Sequence, residues 1–122
     1  MSPVLVDTSV WRNYFAGAPG VRALGDLLDE DESLLVHPFV IGELVLGGLS
    51  AREERLFARL PAAATLPHDE VLAFVRRRRL TRRGIGWVDA HLLASALASG
   101  GALWSVDRDL AAAAGDLGVG YP

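Results

Sequence analysis

The chain contains no cysteine and no lysine. Without cysteine there is no disulfide, no thiolate metal site and no cysteine nucleophile. A reducing compartment is compatible with that, and a cytoplasmic protein is expected. Without lysine, Walker-type phosphate loops, Schiff-base chemistry and phosphotransfer sites that need an ammonium group are excluded. All twelve basic residues are arginine, a bias that a GC-rich genome also produces. Long apolar runs are missing too. The most apolar stretch, 34–49, is interrupted by His37, Pro38 and Glu43 and is too short to cross a bilayer, so no membrane association is expected. The opening residues lack a basic segment and meet an acid at Asp7, so no signal peptide is expected.

What is present suits one globular domain over residues 1–122. The chain has 122 residues and is 51% apolar, enough to bury a core. No repeat or linker interrupts it. The net charge of −3 makes no case by itself for a polyanion partner. Its distribution is uneven, however. Six arginines (Arg76, Arg77, Arg78, Arg79, Arg82 and Arg83) fall within eight residues, and acids gather in 26–32.

Val4–Val6 reads as a strand buried on both faces, and 33–36 and 102–106 read likewise. Shorter candidate strands lie at 62–66 and 119–122. Helical patterns fill the spaces: one capped by Asp7, Thr8 or Ser9 and running through Val10, Trp11, Tyr14 and Phe15, then 21–29, from Pro38 to near Gly47-Gly48, 51–60, from His68 into the arginines, 87–99 and 107–116. Ser50 with Glu53 three residues on is a capping-box signature, and Pro38 stands where proline opens a helix. Strands thus alternate with helices from end to end, which predicts an α/β fold with a parallel sheet.

In such sheets ligands bind beyond the carboxyl ends of the strands. Asp7 follows the first strand directly. Asp107 follows the strand at 102–106, with Asp109 two residues later. Glu43 and Asp89 lie on helices, on faces shared with Val40 and with Leu92 and Leu93, where an unpaired carboxylate is costly. Each has a plainer reading. Asp7 and Asp107 can cap their helices, Asp89 can be a first-turn acid favoured by the helix dipole, and Glu43 can pair with a buried arginine. If the four converge, their repulsion calls for a cation. Oxygen-only ligands suit Mg²⁺, with Mn²⁺ as the alternative.

Four segments resemble one family. Val6-Asp7-Thr8-Ser9-Val10-Trp11 is similar to the opening of a PIN domain, especially of VapC-type toxins. Ile41-Gly42-Glu43-Leu44, Gly86-Trp87-Val88-Asp89-Ala90 and the run from Leu103 to Leu110 resemble the later acidic motifs, in the family's order. Leu110 departs mildly, standing where an aromatic is common. The resemblance covers essentially the whole chain. It implies a three-layer α/β/α fold with about five parallel strands, and a Mg²⁺-dependent endoribonuclease acting on structured or single-stranded RNA. It also implies Asp7, Glu43, Asp89 and Asp107 as the catalytic, metal-binding quartet, and Asp109 as an auxiliary acid. Thr8, Ser9 and Ser105 would orient water or carboxylates. A homodimer and a cognate antitoxin protein are implied as well.

The arginines Arg76–Arg79, Arg82 and Arg83 can grip RNA phosphates or simply form a solvated helix end. Trp11, Tyr14, Phe15, Trp87 and Trp104 are expected in the core or an interface rather than stacked on bases. His37, His68 and His91 are scattered, with no helical pair, so zinc is not expected. A phosphoacceptor or aspartyl-phosphatase domain would need a lysine that this chain lacks. A catalytically silent PIN-like scaffold remains as the alternative.

Overall fold

Val4–Val6 forms β1, the central strand of a parallel sheet in the computed structural model of the chain, which describes residues 2–30 and 33–122. Met1, and Asp31 and Glu32 of the acidic stretch, lie outside the described residues. β2 (Leu34–Leu35) pairs with one edge of β1 and β3 (Ala102–Trp104) with the other. The register sets Val4 opposite both Leu34 and Ala102, and Val6 opposite Trp104. Successive strand side chains point to opposite faces, yet all three residues of β1 are buried. Helices therefore cover both faces, in the expected α/β/α class.

β1 leads into α1 (Thr8–Phe15). The helix expected over 21–29 is divided: Pro19–Val21 forms a 3₁₀ turn, and α2 spans only Ala23–Leu28. After β2 come α3 (Pro38–Leu46), α4 (Ala51–Phe57), α5 (His68–Arg77) and α6 (Trp87–Ala98), and β3 is followed by α7 (Arg108–Asp116). Local chemistry accounts for several of these boundaries. Pro38 opens α3, and His37 Nδ1 accepts the Phe39 N–H at 3.0 Å. Ser50 and Glu53 form the capping box of α4, with bonds of 3.1 and 3.0 Å. Residues Ala90 to Ala96 of α6 are all buried, so this helix is core on every side. Trp11 is fully buried and meets Phe57 edge-on at 4.8 Å.

The sheet has three strands rather than about five. The two outer segments each join through a single parallel bridge, Val36 to Ala62 and Leu103 to Gly120. Pro61 and Pro67 flank the first segment and Gly118, Gly120 and Pro122 punctuate the second. Proline has no N–H to give a ladder, and glycine weakens a strand. β3 also stops at Trp104, short of the expected residue 106, because its partner β1 ends opposite it at Val6.

From β1 the chain runs outward through β2 to the Ala62 bridge. It then returns to the other edge of β1 as β3 and ends at the Gly120 bridge. The order of strands thus reverses between β1 and β3. That reversal opens a crevice at the carboxyl ends of these two strands.

Leu5 is completely buried in the middle of this sheet. Leu5→Ala is expected to lower unfolding stability by about 2–5 kcal/mol. Urea denaturation checks this, and a loss well below that range would mean the central strand is not the core of the fold.

Candidate active site

Asp7 ends β1 in that crevice, and its N–H donates to Trp104 O at 2.9 Å, which fixes the end of β3 beside it. The Asp7 side chain makes no capping bond to α1. Instead its Oδ2 accepts Ser9 Oγ at 2.6 Å and Ser105 Oγ at 2.8 Å. Both hydroxyls are themselves held, Ser9 Oγ by the Val106 N–H at 3.3 Å and Ser105 Oγ by the Asp107 N–H at 3.0 Å. A buried carboxylate is thus clamped by two serines from opposite ends of the sequence.

Glu43 reaches in from α3, where its Oε1 accepts Thr8 Oγ1 at 2.7 Å. It has no arginine partner. The ion pairs among the described residues are Arg83–Asp116 at 2.7 Å and Arg108–Asp109 at 3.7 Å. The helix face around Glu43 is less buried than its apolar pattern suggests: Val40 is buried, but Phe39 is 41% and Leu46 91% exposed. Asp89, in the first turn of α6, accepts the Gly86 N–H through Oδ2 at 3.0 Å. Asp107 caps α7, its Oδ1 accepting the Leu110 N–H at 3.0 Å. The first-turn reading of Asp89 and the capping reading of Asp107 therefore hold as local structure, and the side-chain capping reading of Asp7 does not.

Among the described residues, protein donors engage one oxygen of each of these four carboxylates and leave the other without a protein partner. The four also feel one another. Burial raises the pKa of Asp89; the Gly86 bond opposes the rise, and the charges of Asp7, Asp107 and Glu43 add to it. Among the described residues no three His, Asp or Glu side chains close tightly enough to hold a metal ion as they stand. The chemistry of the set (oxygen only, uncompensated by arginine, one oxygen spare on each member) fits a hard divalent cation. Asp109 stands apart from the four, against Gly84, where a methyl group would come within 2.5 Å of its Oδ2.

The arginines divide. Arg76 to Arg79 and Arg82 are exposed, whereas Arg83 is half-buried and tied to Asp116. Trp11 lies in the core and Trp104 is half-buried, stacked on Tyr121 at 4.8 Å. Trp87 is outside the core of the chain, 39% exposed. The three histidines, scattered in sequence, come together as a chain of rings. His37, Phe39, His91, Trp87 and His68 follow one another with centroids 4.8–5.0 Å apart. Burial, with His91 adding to it, holds the His37 pKa down at about 4, which keeps Nδ1 free to accept from Phe39. The only sequence signal for this assembly was the four-residue spacing of Trp87 and His91 on one helix.

The family model for the PIN domain matches residues 4–116, and the chain belongs to the PIN-domain family. Within that family its likeness is to the VapC type. The chain is 46% identical over 119 residues to proteins named Ribonuclease VapC32 from two strains of Mycobacterium tuberculosis, a match that covers 95% of this chain and 94% of each relative. The crystal structure of PAE2754 from Pyrobaculum aerophilum has a TM-score of 0.62 at 20% identity, covering 92% of this chain and 84% of that one. At that identity the likeness concerns the fold.

A raised carboxylate pKa means that ionising Asp89 opposes folding. The favourable contribution is complete below the unfolded pKa and is lost as pH rises through the folded value. Asp89→Asn keeps an oxygen for the Gly86 N–H. In EDTA it is expected to melt above the wild type at pH 7 and to converge with it near about pH 4. Melting curves at both pH values check this; an asparagine variant that melts lower at pH 7 would remove the repulsion argument.

Proposed function

We propose that this protein is an endoribonuclease that hydrolyses phosphodiester bonds of structured or single-stranded RNA with Mg²⁺ or Mn²⁺, as the toxin of a toxin–antitoxin pair. The observation that supports this reading is that the charges of Asp7, Glu43 and Asp107 all bear on Asp89, while each of the four has one spare oxygen and none has a basic partner among the described residues. The name of the relatives, Ribonuclease VapC32, supports RNA as substrate and a cognate antitoxin protein as partner.

In this reading the free oxygens of the four acids hold the metal, with Asp109 auxiliary at the margin. A divalent ion held by these oxygens would supply a lowered pKa for the attacking water and charge stabilisation at the phosphate and the leaving oxygen. The chain's own groups supply order. Ser9 and Ser105 fix Asp7, and Thr8 fixes Glu43, so these carboxylates are oriented by their hydrogen bonds before any ligand arrives. Exposed arginines among Arg76–Arg79 and Arg82 hold the RNA backbone against the acidic site. The reading includes one PIN domain over residues 1–122, a homodimer, and a cytoplasmic location. The last is supported by the lack of cysteine and by the absence, among the described residues, of any helix long and apolar enough to cross a membrane.

One observation favours the second reading, a catalytically silent scaffold: among the described residues no three acids close around a point as they stand. Metal titration separates the two. With Mn²⁺ at a hundred times its Kd the site should gain about 2.7 kcal/mol of stability, seen as a raised melting temperature that is lost in Asp89→Asn. A melting temperature indifferent to Mn²⁺ and Mg²⁺ selects the scaffold.

The direct test is incubation of the purified, antitoxin-free protein with total bacterial RNA in Mg²⁺, Mn²⁺ or EDTA. Discrete fragments are expected with metal only. Asp7→Asn should lower cleavage by about a hundredfold or more, since metal-assisted charge stabilisation supplies several kcal/mol. Cleavage that survives either EDTA or the substitution would defeat the assignment.

A further inference from the structure

A hollow of 230 Å³ opens where the loop after α5 meets the start of α6. Leu80 and Ile85 contribute its apolar lining, and Thr81, Arg82 and Trp87 stand around it with Gly86. Gly86 is also the residue whose N–H holds Asp89, so the hollow and the acidic cluster share the start of α6. No step of the reaction described above uses Trp87 or distinguishes Arg82 from its neighbours.

Trp87 is a half-exposed indole whose ring sits against His68 at 5.0 Å and His91 at 4.9 Å. A large apolar ring held by two neighbouring rings and partly open to solvent is a ready surface for stacking a base. Arg82 brings a second, independent observation. Its φ is +61°, a left-handed conformation that glycine adopts freely and arginine does not. Arg79 shares that conformation, φ +55°, but there it closes α5 through bonds from Arg79 N to Arg76 O and from Leu80 N to Val75 O. Arg82 closes no helix. It is exposed and makes no ion pair among the described residues.

The backbone that carries Arg82 is anchored on both sides. Leu80 is buried in the core, Arg83 is bonded to Asp116, and Gly84 packs against Asp109. A strained arginine on a fixed mount, beside a fixed aromatic ring and an apolar hollow, has the makings of a nucleotide site.

We propose that this hollow binds one unpaired nucleotide of a single-stranded RNA, with its base stacked on Trp87 and its phosphate held by the Arg82 guanidinium. The inference rests on the reading of the protein as a ribonuclease, and it adds a substrate subsite to it. A short hollow with one cation and one ring matches a nucleotide better than an extended acidic peptide, which needs a row of contacts.

The test uses intrinsic tryptophan fluorescence of the full chain in EDTA, titrated with nucleoside 5′-monophosphates and then with a short single-stranded RNA. Quenching is expected in the wild type and in an Arg59→Ala control. It should vanish in Trp87→Phe, which removes the reporter. RNA affinity, followed separately by anisotropy of a labelled strand, should fall by about tenfold in Trp87→Leu, the typical worth of one stacked base. Arg82→Gly should weaken binding and flatten the dependence of log affinity on log salt by about 0.7, one phosphate's share for a single strand. Its melting temperature should not fall, because glycine relieves the left-handed strain. Quenching that persists in Trp87→Phe, or an unchanged salt slope in Arg82→Gly, overturns the subsite. So does quenching by an acidic protein partner but not by nucleotides. Because EDTA suppresses cleavage, the outcome stands apart from the nuclease test: RNA cleavage without nucleotide quenching removes the subsite alone, and quenching without cleavage removes the enzyme reading alone.

Discussion

Everything in this molecule is hung on a strand of three residues. β1 is flanked by parallel strands on both edges and covered by helices on both faces, so it ends at one fixed place. The residue after that end is Asp7. Its N–H bonds to Trp104, the last residue of β3, and its carboxylate gathers hydroxyls from Ser9 and Ser105. The reversal of strand order between β1 and β3 leaves this point uncovered by a crossover. The same sterics that bury Val4–Val6 therefore set a buried carboxylate at the carboxyl end of the sheet.

Around that point the protein concentrates charge that it does not neutralise. Glu43 and Asp89 come from helices, Asp107 from beyond β3, and no arginine answers any of them among the described residues. Burial and the other three acids push the pKa of Asp89 up. Such an arrangement opposes folding and is kept only where something else depends on it. The positive charge sits on the adjoining loop instead, close enough in the chain to share the start of α6 and too far to pair.

Much of this was legible in the sequence. Short β-branched runs alternating with amphipathic segments specify a parallel α/β sheet, and an acid directly after a strand falls at its carboxyl end. Those two facts place Asp7 directly, and Asp107 only approximately, because β3 ends at Trp104, three residues before it. The outer strands were overcounted because prolines and glycines let a segment run alongside a sheet and touch it at one residue. Glu43 was singled out by its apolar neighbours, though some of these, Leu46 above all, face solvent. The family resemblance implies that Thr8 orients water or a carboxylate, but which carboxylate it holds is not readable from the sequence, since the bond to Glu43 crosses 35 residues. The ring chain from His37 to His68 was invisible for the same reason. Periodicity reports which side of a helix is apolar, and it is silent on which two helices meet. The left-handed turn at Arg82 was equally hidden, because an arginine among arginines gives no sign of its φ.

The outermost segments of the sheet carry a consequence of their own. Each is fastened by one bridge, with prolines or glycines on either side. A long regular edge would present a row of unsatisfied amides on which another chain could crystallise as an extra strand. Among the described residues neither margin carries such a regular edge, so the sheet's ends are a poor template for a further strand, and a single substitution in a helix face is the cheaper way to revise how copies of this chain would meet.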